Sequence, residues 1–346
     1  MFNGRSAIAA DRPWDRRGRL PLVRLGSSAA FCQCRSELLD SHADKLSGPG
    51  MRRIFRQESL QRNFIRTGYA RVPMLSAEEI SHVLWRIEDL HPDDRFAPNG
   101  QNGFQLRYHC SFLDTNVDYK RETHELLVSV FAPHVARYLS DYEILNCNFY
   151  VKPPRTGVFS IHQNWPAIAD LNDTTVTIWC PLVDVIASNG ALQLVAGSHK
   201  ILPHVEGPNV PGYFRSFREE LIRNHLKAIP MAAGEAIIFD DSLLHWSANN
   251  DSDVARVAVQ VLCVPADAQP IYFFFDPEFP ERFELIAADS EFFISTSIKD
   301  LAVRQPHWKS YGFVDNRNRY VDETEFVELL SRGDEIRQQI YFGRSG

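Results

Sequence analysis

The sequence predicts a mainly β domain, a sandwich or barrel, with helices flanking it. Three observations predict this. Between residues 142 and 265 apolar residues recur with a period of two, in short segments parted by turn signals. Ahead of that stretch the apolar spacing is helical, and behind it the pattern is mixed. Asn189-Gly190 is the clearest turn, because those two residues accept the positive φ angles of a tight hairpin.

Residues 1–50 are rich in Arg, Ser, Ala and Gly, lack sustained periodicity and end in Ser47-Gly48-Pro49-Gly50, so they are expected to be a disordered arm. Asp11, Asp15, Glu37, Asp40 and Asp44 are too many acids for a transit peptide, and Met51 as the true start is a further option. Residues 51–346 are then expected to form one domain, with a β core at about 142–265 and a mixed extension at 266–346. Helical spacing begins around Leu60 and Phe64. Ser76 with Glu79 reads as a capping box opening a helix that buries Ile80, Val83, Leu84, Ile87 and Leu90. A third helix is expected over 122–139, with Leu126, Leu127, Val130 and Phe131 inward and a kink at Pro133.

Strands are expected at 144–152, 158–163, 174–181, 191–195, 235–240 and 254–264. Beyond them lie an aromatic segment at 272–275 and a closing helix at 322–330, with Asp322 and Glu325 as its capping pair and Gly333 as its end. No internal repeat is evident.

Composition narrows the function classes. A chain of 346 residues with 44% hydrophobic and 23% charged residues is ordinary for a globular protein, and no apolar run has the length of a membrane span. A formal charge of -7 argues against nucleic-acid binding, which needs a basic surface. The expectation is a soluble, cytoplasmic protein without membrane or nucleic-acid partners. Cys110, Cys147, Cys180 and Cys263 sit in apolar runs as reduced thiols would, and Cys32-Gln33-Cys34 has no second pair to make a zinc site.

The chemistry concentrates in His162-Gln163-Asn164-Trp165, His245 and Arg256. On a strand, residues i and i+2 share a face, so His162 and Asn164 present both side chains to one side. His245 follows the apolar strand at 235–240, and Arg256 follows the polar turn 249–253, which is expected to be a hairpin returning Arg256 beside His245. Two histidines suit a metal, and a planar cation suits the far carboxylate of an acidic co-substrate. A lone histidine on an apolar strand is more often a packed core residue, and Arg256 alone is as easily a structural ion-pair partner. The joint arrangement carries the reading. Of the other histidines, His82, His91, His124 and His134 fall on or beside the expected helices and are read as solvent-facing or packing residues.

The sequence here resembles the phytanoyl-CoA dioxygenase family of Fe(II)- and 2-oxoglutarate-dependent oxygenases. The resemblance spans roughly residues 55–265 and rests on the His162 motif, Trp179-Cys180-Pro181-Leu182, Asn189-Gly190-Ala191-Leu192 leading into Gly197-Ser198-His199-Lys200, and Gly234 through His245 to Arg256. It implies a double-stranded β-helix, a jelly roll related to the cupins, with flanking helices. His162 and His245 would bind iron, Arg256 would hold the distal carboxylate of 2-oxoglutarate, and Trp179 and Lys152 would line that pocket. His199 would close its turn structurally.

One position departs from the family pattern. The residue two after the first histidine is normally a carboxylate, and here it is Asn164, a weaker donor for a hard ion. Three readings follow: Asp170 in the next loop supplies the carboxylate, Asn164 itself ligates, or the centre is degenerate and the protein is a non-catalytic cupin-like binding module. Asp173 is a poorer substitute than Asp170, and a halide position fits less well because Asn fills the space. The implied activity is oxidation or hydroxylation of a small organic substrate with O2. Gln105, Arg107, Tyr108 and His109 are expected at the pocket mouth.

Overall fold

Two antiparallel sheets of six and four strands face each other in the computed structural model, which describes residues 52–90, 95–98, 107–171 and 173–342. These belong to the unit Pro49–Gly346. The arm at 1–50, Met51, His91 and Gln105 lie outside the described residues.

Two helices open the described chain, α1 (Glu58–Thr67) and α2 (Ala77–Asp89), with strand β1 (Tyr69–Pro73) between them. The capping box of α2 forms as expected, Ser76 accepting from Glu79 N and Glu79 accepting from Ser76 N. The short β2 (His109–Cys110) precedes α3 (Val117–Tyr138), which starts earlier than the expected 122 because Asn116 caps it by accepting from Tyr119 N at 3.1 Å. The barrel strands follow: β3 (Tyr142–Lys152), β4 (Phe159–His162), β5 (Val176–Pro181), β6 (Leu192–Leu194), β7 (Lys227–Ala228), β8 (Glu235–Asp240), β9 (His245–Ser247) and β10 (Arg256–Pro265).

The large sheet runs β1-β8-β5-β10-β3-β2 and the small one β4-β9-β6-β7. This is the jelly roll. Its period-two code is explicit in β8: Ala236 and Ile238 join the cluster containing Phe64, Val83, Leu127 and Phe131 of the helices, whereas Ile237 and Phe239 join Leu192 and Leu194 of the opposite sheet. Strand β5, covered on both faces, is buried along its whole length. By the same alternation Tyr150 and Lys152 of β3, Trp179 of β5 and Arg256 of β10 share the inner face.

Three expectations need correction. Asn189-Gly190 does not join a two-strand hairpin, since β5 and β6 belong to different sheets and the turn carries the chain across. Gly190 alone of the pair has positive φ, at 80°, while the Asn189 side chain ties Ile186 N and Asp184 O. The turn before Arg256 is likewise a crossing, because β9 lies in the small sheet and β10 in the large one. Gly333 does not end the closing helical region: one helix, Glu323–Ser331, stops at Arg332 and another, Gly333–Phe342, starts at once.

The extension beyond the barrel forms a three-stranded sheet of β11 (Ile271–Phe274), β12 (Arg282–Ala287) and β13 (Ser310–Asp315). Among the described residues no helix is long and apolar enough to cross a membrane.

Candidate metal centre

His162 ends β4 and His245 begins β9, and the antiparallel register sets them directly opposite. Cross-strand partners of this kind bring side chains together, and the two ring centroids are 4.0 Å apart. Each ring is oriented by a carbonyl two residues back. His162 Nδ1 donates to Ser160 O at 2.7 Å and His245 Nδ1 to Leu243 O at 2.9 Å. A carbonyl can only accept, so Nδ1 carries the proton and Nε2 keeps its lone pair. Burial pushes the His162 pKa down to about 4, and burial followed by the neighbouring His162 holds His245 well below the usual range. Both imidazoles are neutral donors, held as metal-binding histidines are held.

Asn164 lies two residues past His162. Its Nδ2 donates to Thr177 Oγ1 of β5 at 2.7 Å, which leaves Oδ1 as the end able to donate a lone pair elsewhere. Asp170 is not gathered with the histidines. It stands in the wall of a cleft with Asn164, Lys200 and Asp241, and among the described residues no three His, Cys, Asp or Glu side chains are arranged to hold a metal. The loop cannot fold back freely because Ala167 O accepts from Ile271 N at 2.8 Å and Ala167 and Ile168 pack into the core of the C-terminal extension. Asp173 is engaged with Arg52 at 3.2 Å. The residues therefore fit a metal at two positions, with an amide where the third, anionic donor is usual.

Arg256 opens β10 opposite Lys152. Its Cζ stands 5.4 Å from the Trp179 ring centroid, and its Nε and Nη1 are buried without a hydrogen-bond partner among the described residues. Burial pushes its pKa down to about 10, so it remains a cation at neutral pH. A buried cation with unused donors is costly unless an anion completes it.

Lys152 turns its Nζ to Ser247 O, Ser247 Oγ and Ala248 O, at 3.1, 2.7 and 2.6 Å. Burial, and then Arg256, push its pKa down to about 5, while those three oxygens favour the protonated form. Its contacts brace the chain just after β9. Gly190 has to be glycine there: besides its positive φ, an added Cβ would lie 3.1 Å from Ala248 O and 3.4 Å from Lys152 Nζ.

Among the described residues of the expected mouth cluster, Arg107, Tyr108 and His109, it is Tyr108 that turns to this interior. It stacks on Phe159 at 5.0 Å, and Phe159 in turn packs on His162 at 4.7 Å. Arg107 is exposed, and His109 is buried with its Nε2 3.0 Å from Tyr119 OH. His199 is structural as expected, its Nε2 donating to Ile65 O at 3.2 Å. Sequence reasoning missed Thr177, which the alternation of β5 places on the inner face with Trp179. It also missed Glu206, which sits in an irregular segment with no periodic signal.

Several solved structures resemble the chain. The epimerase SnoN in complex with Fe3+, alpha ketoglutarate and nogalamycin RO is 23% identical, with a TM-score of 0.47 over 62% of this chain and 85% of that one. EctD from S. alaskensis with 2-oxoglutarate and 5-hydroxyectoine is 19% identical, with a TM-score of 0.44 over 62% and 78%. HygX from Streptomyces hygroscopicus with nickel and 2-oxoglutarate is 16% identical, with a TM-score of 0.44 over 61% and 88%. No curated protein matches the sequence. The family model for phytanoyl-CoA dioxygenase (PhyH) matches residues 64–258, more than half of the sequence, and takes in both histidines, Asn164 and Arg256. By that match the chain belongs to the phytanoyl-CoA dioxygenase family.

Proposed function

We propose that this protein is an Fe(II)- and 2-oxoglutarate-dependent dioxygenase that hydroxylates or otherwise oxidises a small organic substrate, using O2. The observation that carries the reading is the Arg256 guanidinium, buried with two donors that have no partner among the described residues, in the same barrel interior as two neutral imidazoles that bond through Nδ1 and keep the Nε2 lone pair. The anion it awaits is the distal carboxylate of 2-oxoglutarate, with Trp179 covering the guanidinium face and Lys152 closing the wall beside it.

His162, His245 and Asn164 Oδ1 would hold the iron, which when bound supplies the oxidising chemistry. The chain supplies the rest. The backbone carbonyls of Ser160 and Leu243 fix both rings. The aromatic wall of Tyr108, Phe159 and Trp179 keeps water from the interior, and Arg256 sets the angle at which the co-substrate enters. The four described cysteines are free and buried, which suits a reducing compartment such as the cytoplasm.

The missing carboxylate favours one competing reading, a cupin-like binding protein with a degenerate centre. His245→Ala separates the two. In an oxygenase it abolishes the succinate released when 2-oxoglutarate is consumed over a panel of small substrates. Parent protein that releases no succinate at any metal loading would leave the binding-module reading standing.

A further inference from the structure

The chain that leaves β4 after His162 has two backbone N–H groups to satisfy before it reaches the loop. β4 is the edge of the small sheet, so among the described residues it has a neighbouring strand, β9, on one side alone. The Asn164 N–H donates to Asp241 O at 2.8 Å, in the turn ahead of His245. The Gln163 N–H donates instead to a side chain, Glu206 Oε2, at 2.9 Å. Gln163 is thereby clamped twice, since its own Nε2 donates to Ser242 O at 2.5 Å.

Glu206 comes from the irregular segment between β6 and β7, and that segment is itself anchored. The Asn318 side chain accepts from Val205 N and donates to Val205 O, both at 2.8 Å. Val205 and Val210 pack among Ile271, Phe273 and Phe283 of the C-terminal sheet. Burial disfavours the charged form of the Glu206 side chain here and pushes its pKa up to about 8. Its Oε2 accepts from the N–H of the His162–Gln163 peptide, in the short stretch that carries both side chains proposed to face the metal.

We propose that Glu206 is a positioning residue for the metal centre, accepting the Gln163 N–H so that the His162 imidazole and the Asn164 amide face the same interior point. The proposal rests on the oxygenase reading above. Rotation of the Gln163 peptide would swing both neighbours, and the donor distances of a well-formed metal site fall within about 0.2 Å of their usual values. Loss of a partner that orients a ligand typically costs about 10–100-fold in metal affinity. An amide at position 164 has no charge with which to compensate for poor placement.

The test titrates the full chain anaerobically with Co(II), with and without 2-oxoglutarate, for the parent, Glu206→Gln, Glu206→Met and Glu206→Ala, and records thermal unfolding for each. Glutamine keeps an acceptor oxygen, so Glu206→Gln should bind Co(II) within about threefold of the parent. Glu206→Met fills the space without an acceptor and should bind about tenfold or more weakly, with Glu206→Ala as the alternative should methionine fail to fold. Glu206→Met or Glu206→Ala that binds Co(II) like the parent overturns the proposal, even if its unfolding temperature falls. So does Glu206→Gln that is as weak as Glu206→Met. A parent chain that binds no Co(II) overturns the oxygenase reading itself, and the parent arm alone reveals that.

Discussion

Replacing Arg256 by methionine should act in opposite directions on the free protein and on its complex with 2-oxoglutarate. In the free chain the guanidinium leaves Nε and Nη1 buried without partners among the described residues. Each such donor costs about 1–3 kcal/mol. The contact with Trp179 returns about 1 kcal/mol. Methionine keeps much of the stem and removes the orphaned donors, so Arg256→Met should stabilise the free chain by about 2 kcal/mol. In the complex the same change removes a forked pair of charge-assisted bonds, about 3 kcal/mol, which is on the order of a hundredfold in Kd. At a ligand concentration of about a hundred times the parent Kd, the parent gains about 2.7 kcal/mol and the variant about 0.4 kcal/mol. Thermal unfolding with Co(II) in place of iron, with and without 2-oxoglutarate, reads both effects, and calorimetric titration gives the Kd directly. A variant that is less stable without 2-oxoglutarate yet keeps its full ligand-induced shift would refute the argument, because it would make Arg256 a structural residue.

Asn164→Asp should tighten Fe(II) or Co(II) binding by about tenfold or more, since a carboxylate is the better donor for a hard cation; Asp170→Ala should leave that affinity unchanged, and a metal titration of both variants checks the pair. Gly190→Ala should destabilise the fold by at least about 1 kcal/mol, because φ at 80° disfavours an L side chain and its Cβ meets Ala248 O; urea unfolding measures it. Burial pushes the His204 pKa down to about 4. Its folded pKa therefore lies below the unfolded value near 6.5, so from about pH 6.5 down to about 4 the unfolded chain takes up a proton that the folded chain refuses. This group should cost stability progressively across that window at up to about 1.4 kcal/mol per pH unit, and contribute nothing above it. His204→Leu should flatten that part of the urea-midpoint profile between pH 7.5 and 4.5.

What could be read in the sequence follows from which signals are local. The continuous apolar run at 236–239 announced a strand, and Ile237 and Ile238 point to opposite cores. The histidine pair was legible because both residues border apolar strands, and strand register alone suffices to oppose them. Which sheet a strand joins is not local. The turn at 249–253 looks like a hairpin in sequence, yet Ser247 and Arg256 belong to opposite sheets. Strand β1 escaped notice because five residues ending in Pro73 between two helices give too short a pattern, and its pairing to β8 is long-range. Asp170 looked available by spacing, but Ile271 and the C-terminal core, far along the chain, hold its loop. Glu206 has no pattern at all; only the unpaired edge of β4 reveals what it is for.

The central claim, that His162, His245 and Arg256 converge to hold iron with its keto-acid co-substrate, is tested most directly by anaerobic titration of the protein with Fe(II) in the presence of 2-oxoglutarate. A weak visible charge-transfer band that saturates at one iron per chain, that is lost in His245→Ala and that in Arg256→Met needs on the order of a hundredfold more 2-oxoglutarate, is the predicted result. No band at any ratio, or a band that survives both substitutions, would contradict it.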